Sequence, residues 1–365
     1  MYDSVLRRLL FLLPPGMAHS LALAALGPVE RLAWLRRAVR SAMRVERDER
    51  ITVRVLGLDF SSPVGLAGGF DKEARRPRAL AALGFGHLEL GTVTAHAQIA
   101  NPRPNLFRLP ADRALINRLG FPNGGAQRVA AGLREARGHV PVPMGVSIGK
   151  SRVVPADDVD AVVRDYVASF DAVRDAADFV VANVSSPNTI GLRAMQGREH
   201  ARALLSALAA RRGPTTRLLV KMAPDLDDGQ IEDLLAVVAE IGIDGVIATN
   251  TTVSRDGLVT PEARVRAIGA GGLSGPPLRA RALQVVRRVR ARLGPKAIVI
   301  GVGGVETAEH AMALVRGGAN LVQMYTGFVY GGPATPGRIA RDLARMVERE
   351  GAPNIGALVG VERAP

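Results

Sequence analysis

The chain contains no cysteine. That removes disulfides, thiolate zinc sites, clusters ligated by its own thiolates and any thiol nucleophile, and no metal site is expected. Aromatic residues are only 4% of its 365 residues while 47% are apolar, so the core must be aliphatic, and there is enough of it for one large domain plus a small appendage. Lysine is scarce as well: Lys72, Lys150, Lys221 and Lys296 are four among 48 basic residues. Where arginine is the default cation, a lysine can mark a place that wants a compact ammonium, though chance accounts for any single one. The net charge of +14 is spread along the chain without interleaved aromatics or a nucleic-acid-binding motif, so no nucleic-acid partner is expected.

A membrane-spanning run is missing too. Leu9 to Val29 carries no formal charge, but Pro14-Pro15-Gly16 cuts it into pieces too short to span. Arg7-Arg8 before an apolar stretch suggests an export signal, yet no small-residue cleavage site follows. What remains reads as short amphipathic helices over Ser4 to Leu13 and Ala18 to Leu26, then one led by Pro28 at a first-turn position through Arg37. Such helices can lie in a membrane interface with Trp34 and arginines at headgroup level, or pack as a hairpin against their own domain. The segment alone leaves both open.

From Ile51 the texture changes. Eight short apolar runs recur: Pro63 to Gly69, His87 to Val93, Met144 to Gly149, Phe179 to Ser185, Leu218 to Met222, Val246 to Thr251, Ile298 to Gly303 and Leu321 to Thr326. Helical patterns such as Arg78 to Leu83 and Ile231 to Ile241 lie between most of them. Alternating strand and helix predicts a parallel sheet, and eight repeats predict an α/β fold of the (β/α)8, or TIM barrel, kind. The division expected is a helical extension over 1–50 and a barrel over 51–365. An open doubly wound sheet is the alternative, but Gly65 to Phe70 lacks the GxGxxG fingerprint that would support it. The long spacings Val93 to Met144 and Thr251 to Ile298 must hold inserted loops or small strands, which on a barrel often cover the active site.

In a barrel the chemistry sits at the C-terminal strand ends. Here those ends carry Asp71-Lys72, Gly91-Thr92, Ser147 to Lys150, Asn183 to Asn188, Lys221, Thr249 to Thr251, Gly303-Gly304 and Tyr325 to Gly327. Three of the four lysines are among them. Gly301 to Gly304 and Tyr325 to Gly327 follow the seventh and eighth runs, the usual phosphate position of the fold, although glycine there can be plain turn chemistry. Asn117, Asn183, Asn188 and Asn250 each offer an acceptor and two donors, matched to the amide edges of a pyrimidine-like ring; a single one could as well serve loop backbone.

Gly65 to Lys72, Asn117 to Phe121, Asn183 to Thr189, Ala248 to Thr252 and Gly271 to Gly275, together with the two glycine motifs, resemble the dihydroorotate dehydrogenase family over nearly the whole chain. The resemblance implies oxidation of dihydroorotate to orotate in pyrimidine synthesis, with one FMN per chain taking hydride from C6 at its N5 while a base takes a proton from C5. By resemblance the base is Ser186, as in the quinone-linked class; strand alternation alone would pair Ser185 with Asn183 and gives no reason to prefer Ser186. A serine hydroxyl needs a proton path to act as a base. The resemblance places Lys72, Asn117, Arg118, Leu119, Gly120, Phe121, Asn183, Asn188, Asn250 and Thr251 at the substrate. It places Gly68, Gly69, Lys72, Thr92, Ser147, Asn183, Lys221, Thr249, Gly275, Gly304, Tyr325 and Thr326 at FMN, with Lys221 near the N1 and O2 edge where negative charge builds. His19, Arg108 and Tyr325 match positions lining a quinone tunnel formed by the helical extension. A monomer held peripherally on the cytoplasmic side of the cell membrane, its N-terminal helices on the bilayer surface, is expected.

Departures from the family are Gly68 for alanine, Ser147 for asparagine and Ile190 for proline. A soluble enzyme passing electrons to fumarate or NAD is the rival of like chemistry, and a catalytically dead basic protein on the same barrel is a rival of another class. The loop Thr189 to Gly197, with Gly191 and Gly197 as hinges, is expected to close over the substrate.

Overall fold

The computed structural model describes Tyr2 and residues 6–361. Four short helices come first: α1 (Arg7–Leu12), α2 (Pro15–Ala25), α3 (Gly27–Arg31) and α4 (Ala33–Ala42). Ser4 and Val5, the start of the first expected helix, lie outside the described residues. Pro15 sits in the first turn of α2, where its missing N–H costs nothing. The single helix expected through Arg37 is instead broken at Leu32, whose backbone is extended. The break is held by Arg36, which reaches back to donate to the carbonyls of Glu30 at 2.5 Å and Val29 at 3.4 Å.

A two-stranded hairpin, β1 (Val53–Val55) and β2 (Leu58–Phe60), comes next. Leu56 and Gly57 both take positive φ, the type I′ turn that suits a tight hairpin. The barrel is closed by eight parallel strands: β3 (Val64–Leu66), β4 (His87–Val93), β7 (Met144–Ile148), β8 (Phe179–Asn183), β9 (Leu218–Met222), β10 (Gly245–Ala248), β12 (Ile298–Val302) and β13 (Leu321–Met324). Each begins inside or one residue before its apolar run, and most stop short of the run's end, because the last residues turn out of the sheet at the barrel mouth. Most of their residues are buried, as strands under a ring of helices must be. The helix over Asp228–Ile241 shows why the intervening segments are helical: Asp227 and Gln230 form a reciprocal capping box, and Gly242 ends it in the left-handed region.

The two long insertions meet each other. β5 (Leu106–Leu109) and β6 (Ala114–Asn117) from the first pair antiparallel, and β11 (Gly272–Ser274) from the second joins β6, with Asn117 opposite Gly272. This three-stranded sheet has its own small core of Leu109, Ala114, Ile116, Ile268 and Leu273. The N-terminal helices are fastened beside the mouth by Glu30, whose carboxylate accepts the N–H of Ala79 at 2.9 Å, and by Arg76, which donates to Leu23 O at 2.9 Å. Among the described residues no helix is long and apolar enough to cross a membrane.

Candidate active site

A cavity opens at the C-terminal ends of the barrel strands, under the insertion sheet. Its wall brings together Gly68, Gly69, Lys72, Thr92, Asn117, Leu119, Gly120, Phe121, Asn183, Ser186, Asn188, Lys221, Thr249, Asn250, Thr251, Gly275, Gly304, Tyr325 and Thr326, so residues from every quarter of the sequence converge on one space.

Their side chains form two linked groups. In the first, Ser147 Oγ lies 2.9 Å from Thr92 Oγ, which accepts from Asn183 Nδ2 at 2.9 Å. Asn183 Oδ1 accepts from Ser185 Oγ at 3.1 Å and Asn250 Nδ2 at 3.2 Å, and Asn250 Nδ2 also donates to Ser185 Oγ at 2.9 Å. In the second, Asn188 donates its N–H to Ser186 Oγ at 3.2 Å and its side-chain amide to Asn117 Oδ1 at 3.1 Å. The two adjacent serines are thereby separated. Ser185 is fully buried and occupied with the asparagines, as strand alternation requires; Ser186 lines the cavity.

Lys72 donates to Gly69 O at 2.6 Å, and burial, only partly countered by Asp71 and Glu73, pulls its ammonium down to about 8. Lys221 donates to both oxygens of Glu89, at 3.0 and 3.1 Å. Glu89 was not singled out by sequence reasoning, although a carboxylate inside an apolar barrel strand demands a cationic partner. Gln323 is a second missed residue: it lines the cavity, is fully buried, and neither amide atom has a partner among the described residues. A ligand edge with donors and acceptors would satisfy it.

Some expected residues stand elsewhere. Ser147 lies behind Thr92. Arg118 is not on the cavity wall; its guanidinium donates to Ile268 O at 2.5 Å and Ala270 O at 2.9 Å and stacks 4.7 Å over Phe107, pinning the two insertions together. Lys150 comes after β7 but sends its ammonium to Ser151 O at 3.0 Å and Val154 O at 2.5 Å, so it is a loop clamp.

Toward α2, the ring of His19 stands edge-on 4.9 Å from Phe70, which stands 5.7 Å from Tyr325 on the cavity wall. Burial, with the charge of Lys72 adding to it, lowers His19 to about 4, so its imidazole is neutral. Arg108 grips α1, donating to Leu13 O at 2.8 Å with its guanidinium 4.4 Å over Phe11. Phe11 in turn meets Tyr330 edge-on at 5.2 Å. The segment after Asn188 is anchored more than expected: Leu192–Gln196 is a 3-10 turn in which Leu192, Met195 and Gln196 are buried, and Arg193 binds Asp225 at 2.8 Å and Thr251 O at 3.1 Å. Gly191 has the positive φ of a glycine hinge; Gly197 does not.

Opposite the asparagines the wall is backbone. A Cβ at Gly304 would stand 2.9 Å from Arg279 Cβ and 3.1 Å from Gly275 O, and one at Gly327 would collide with Val305 O. These glycines let three chain segments pack closely at the cavity wall, where their backbone could cradle an anion such as a phosphate.

A family model described as dihydroorotate dehydrogenase matches residues 50–347. The chain is 50% identical to the dihydroorotate dehydrogenase (quinone) of Thermobifida fusca, over 100% of this chain and 97% of that one. It is 49% identical to the protein of the same description from Rhodococcus opacus, covering 98% of each. Among solved structures, DHODH from Eimeria tenella in complex with ferulenol superimposes with a TM-score of 0.84 at 32% identity, over 96% of each chain.

Proposed function

The chain belongs to the dihydroorotate dehydrogenase family, and we propose that it oxidises (S)-dihydroorotate to orotate in pyrimidine biosynthesis, with FMN as its flavin and a membrane quinone as the final acceptor. The residues on the cavity wall suit both FMN and the substrate. The glycine cradle of Gly275, Gly304 and Gly327 suits the FMN phosphate; Gln323, Lys221, Thr92, Asn183 and Thr249 suit the flavin ring. Held there, FMN would supply the hydride acceptor and the link through which electrons pass to the quinone.

The rest falls to the chain. Lys72 meets the substrate carboxylate. Asn117, Asn188, Asn250 and Thr251 hold the pyrimidine edges, and Leu119 to Phe121 close over the ring. Ser186 takes the C5 proton. The observation that carries this reading is the division of labour between the serines: Ser185 Oγ is held by Asn183 and Asn250, whereas Ser186 Oγ faces the cavity beside Asn188. Arg118 we assign to holding the roof. If the loop closes, the moving part is 187–191, because Arg193 and the buried Leu192 and Gln196 fix the remainder of the segment.

We assign 1–50 to quinone access and membrane contact and 51–365 to catalysis; residues 1, 3–5 and 362–365 of these spans lie outside the described ones. Support for contact with the cytoplasmic face of the cell membrane comes from the apolar side chains that α1, α2 and α4 leave exposed, Leu9, Leu12, Met17, Leu21 and Trp34, beside arginines. His19, Arg108 and Tyr325, with Phe70, would line the quinone's way in.

The test is anaerobic addition of dihydroorotate to the flavin-loaded protein, then a short-chain quinone, fumarate or NAD in parallel. Bleaching of the flavin reversed by quinone alone is expected. Reversal by fumarate or NAD would discard the quinone assignment, and no bleaching would discard the substrate.

A further inference from the structure

Glu89 lies on β4 with its side chain wholly excluded from solvent, and its carboxylate holds the ammonium of Lys221 on β9 through both oxygens, at 3.0 and 3.1 Å. Lys221 is only 6% exposed, so the pair is dry. Such a pair adds little to stability, because the cost of desolvating two charges is comparable to or larger than their attraction. Its effect lies in placement. Lys221 is on the cavity wall and Glu89 is behind it.

Gly68 lies against the carboxylate, its lack of a side chain leaving room there. A Cβ there would collide with Glu89 Oε1 and stand 2.9 Å from its Cδ. Glu89 and Lys221 form one unit beside Gly68: the carboxylate fixes the ammonium, and the ammonium is on the cavity wall.

We propose that Glu89 is a positioning residue that sets the redox poise of the flavin through Lys221. The inference rests on the FMN reading above. Two-electron reduction leaves negative charge at the N1 and O2 edge, which the Lys221 ammonium stabilises. Glu89 offsets part of that cation's field, in a setting where charge interactions are little screened. It thus keeps the flavin a weaker oxidant than an unpaired lysine would make it, while stopping the ammonium from turning toward other acceptors.

The test compares the flavin-loaded wild type with Glu89→Gln and Glu89→Asp, by equilibrium reduction potential and by titration with sulfite. Sulfite adds at N5 and places negative charge at the same edge, so its affinity reports the field there without turnover. Glu89→Gln should raise the two-electron reduction constant about tenfold, about 30 mV, and tighten sulfite binding by about the same factor. Glu89→Asp, which keeps the charge, should fall back toward wild type. Glu89→Gln values within about twofold of wild type, or a shift in the opposite direction, overturn the proposal. Should Glu89→Gln not fold or not hold flavin, Glu89→Met decides, because it removes the charge while filling the same space: a shift of the same sign supports the proposal, and none overturns it. A wild type that binds no flavin would remove the FMN reading itself, whereas a flavin-bearing wild type with unmoved variants removes only the role of Glu89.

Discussion

Ser186 Oγ accepts the backbone N–H of Asn188 at 3.2 Å. One lone pair is thereby fixed, and the hydroxyl is held against the cavity by the same loop that sends Asn188 to Asn117. Ser186→Ala should slow flavin reduction by dihydroorotate about 10²- to 10⁴-fold, the usual share of a general base, while orotate binding changes less than about threefold. Stopped-flow reduction and orotate titration read the two quantities separately. Reduction within about threefold of wild type would remove Ser186 from the proton transfer.

Lys72, held by burial at about 8, gives orotate binding an alkaline limit. Below that value the ammonium meets the carboxylate; above it the free enzyme loses the charge, so Kd for orotate should rise roughly tenfold per pH unit beyond about pH 8. Lys72→Met should give weak, pH-independent binding over the same range. A flat profile to pH 10 in the wild type would show that Lys72 does not carry the carboxylate.

His87 sits inside the barrel with its ring edge-on to Phe60 at 5.5 Å, and neither ring nitrogen has a partner among the described residues. Burial lowers it to about 3. The unfolded chain protonates this histidine near pH 6.5 and the folded one does so only near 3, so stability falls as pH drops through that window, by about 1.4 kcal/mol per unit. His87→Leu should flatten this acid limb by that amount and stabilise the protein by about 1 kcal/mol at neutral pH, since it removes an unsatisfied buried polar group. Denaturant titrations between pH 4 and 7 measure both.

On α1 and α2, Leu12 is 82% exposed and Leu21 52% exposed. The double change Leu12→Glu, Leu21→Glu should weaken co-sedimentation with anionic vesicles about tenfold or more and slow turnover with a long-chain quinone. The rate of flavin reduction by dihydroorotate should not move. Loss of that half-reaction as well would mean that these helices support the barrel and not the acceptor.

The strands were legible because the barrel strands are short, mostly apolar runs, many bounded by glycine, and the site because a barrel puts its polar residues at the strand ends. Arg118 and Lys150 show the limit of that reasoning. Both stand where a ligand group belongs, and both aim at backbone carbonyls, a choice of rotamer that residue type does not encode. Glu89 was passed over for the converse reason: it lies mid-strand, below the mouth, and its partner is 132 residues away. The break at Leu32 is held by a side-chain bond from Arg36 back to the carbonyls before it, which helical periodicity does not encode.

The roof over the cavity joins two segments that the ribosome makes far apart: Asn117 donates to Gly272 O, 155 residues later in the chain, and β3, paired with β4 on one side, gains its second neighbour only in the last strand, β13. A nascent chain therefore carries its asparagines and lysines for most of its synthesis without a pocket to put them in. Flavin and substrate can be captured only once nearly all of the polypeptide has emerged and both distant pairings have formed. A chain cut short before β13 would lack the strand that closes the barrel and the wall residues Gln323 to Gly327 that complete the cavity.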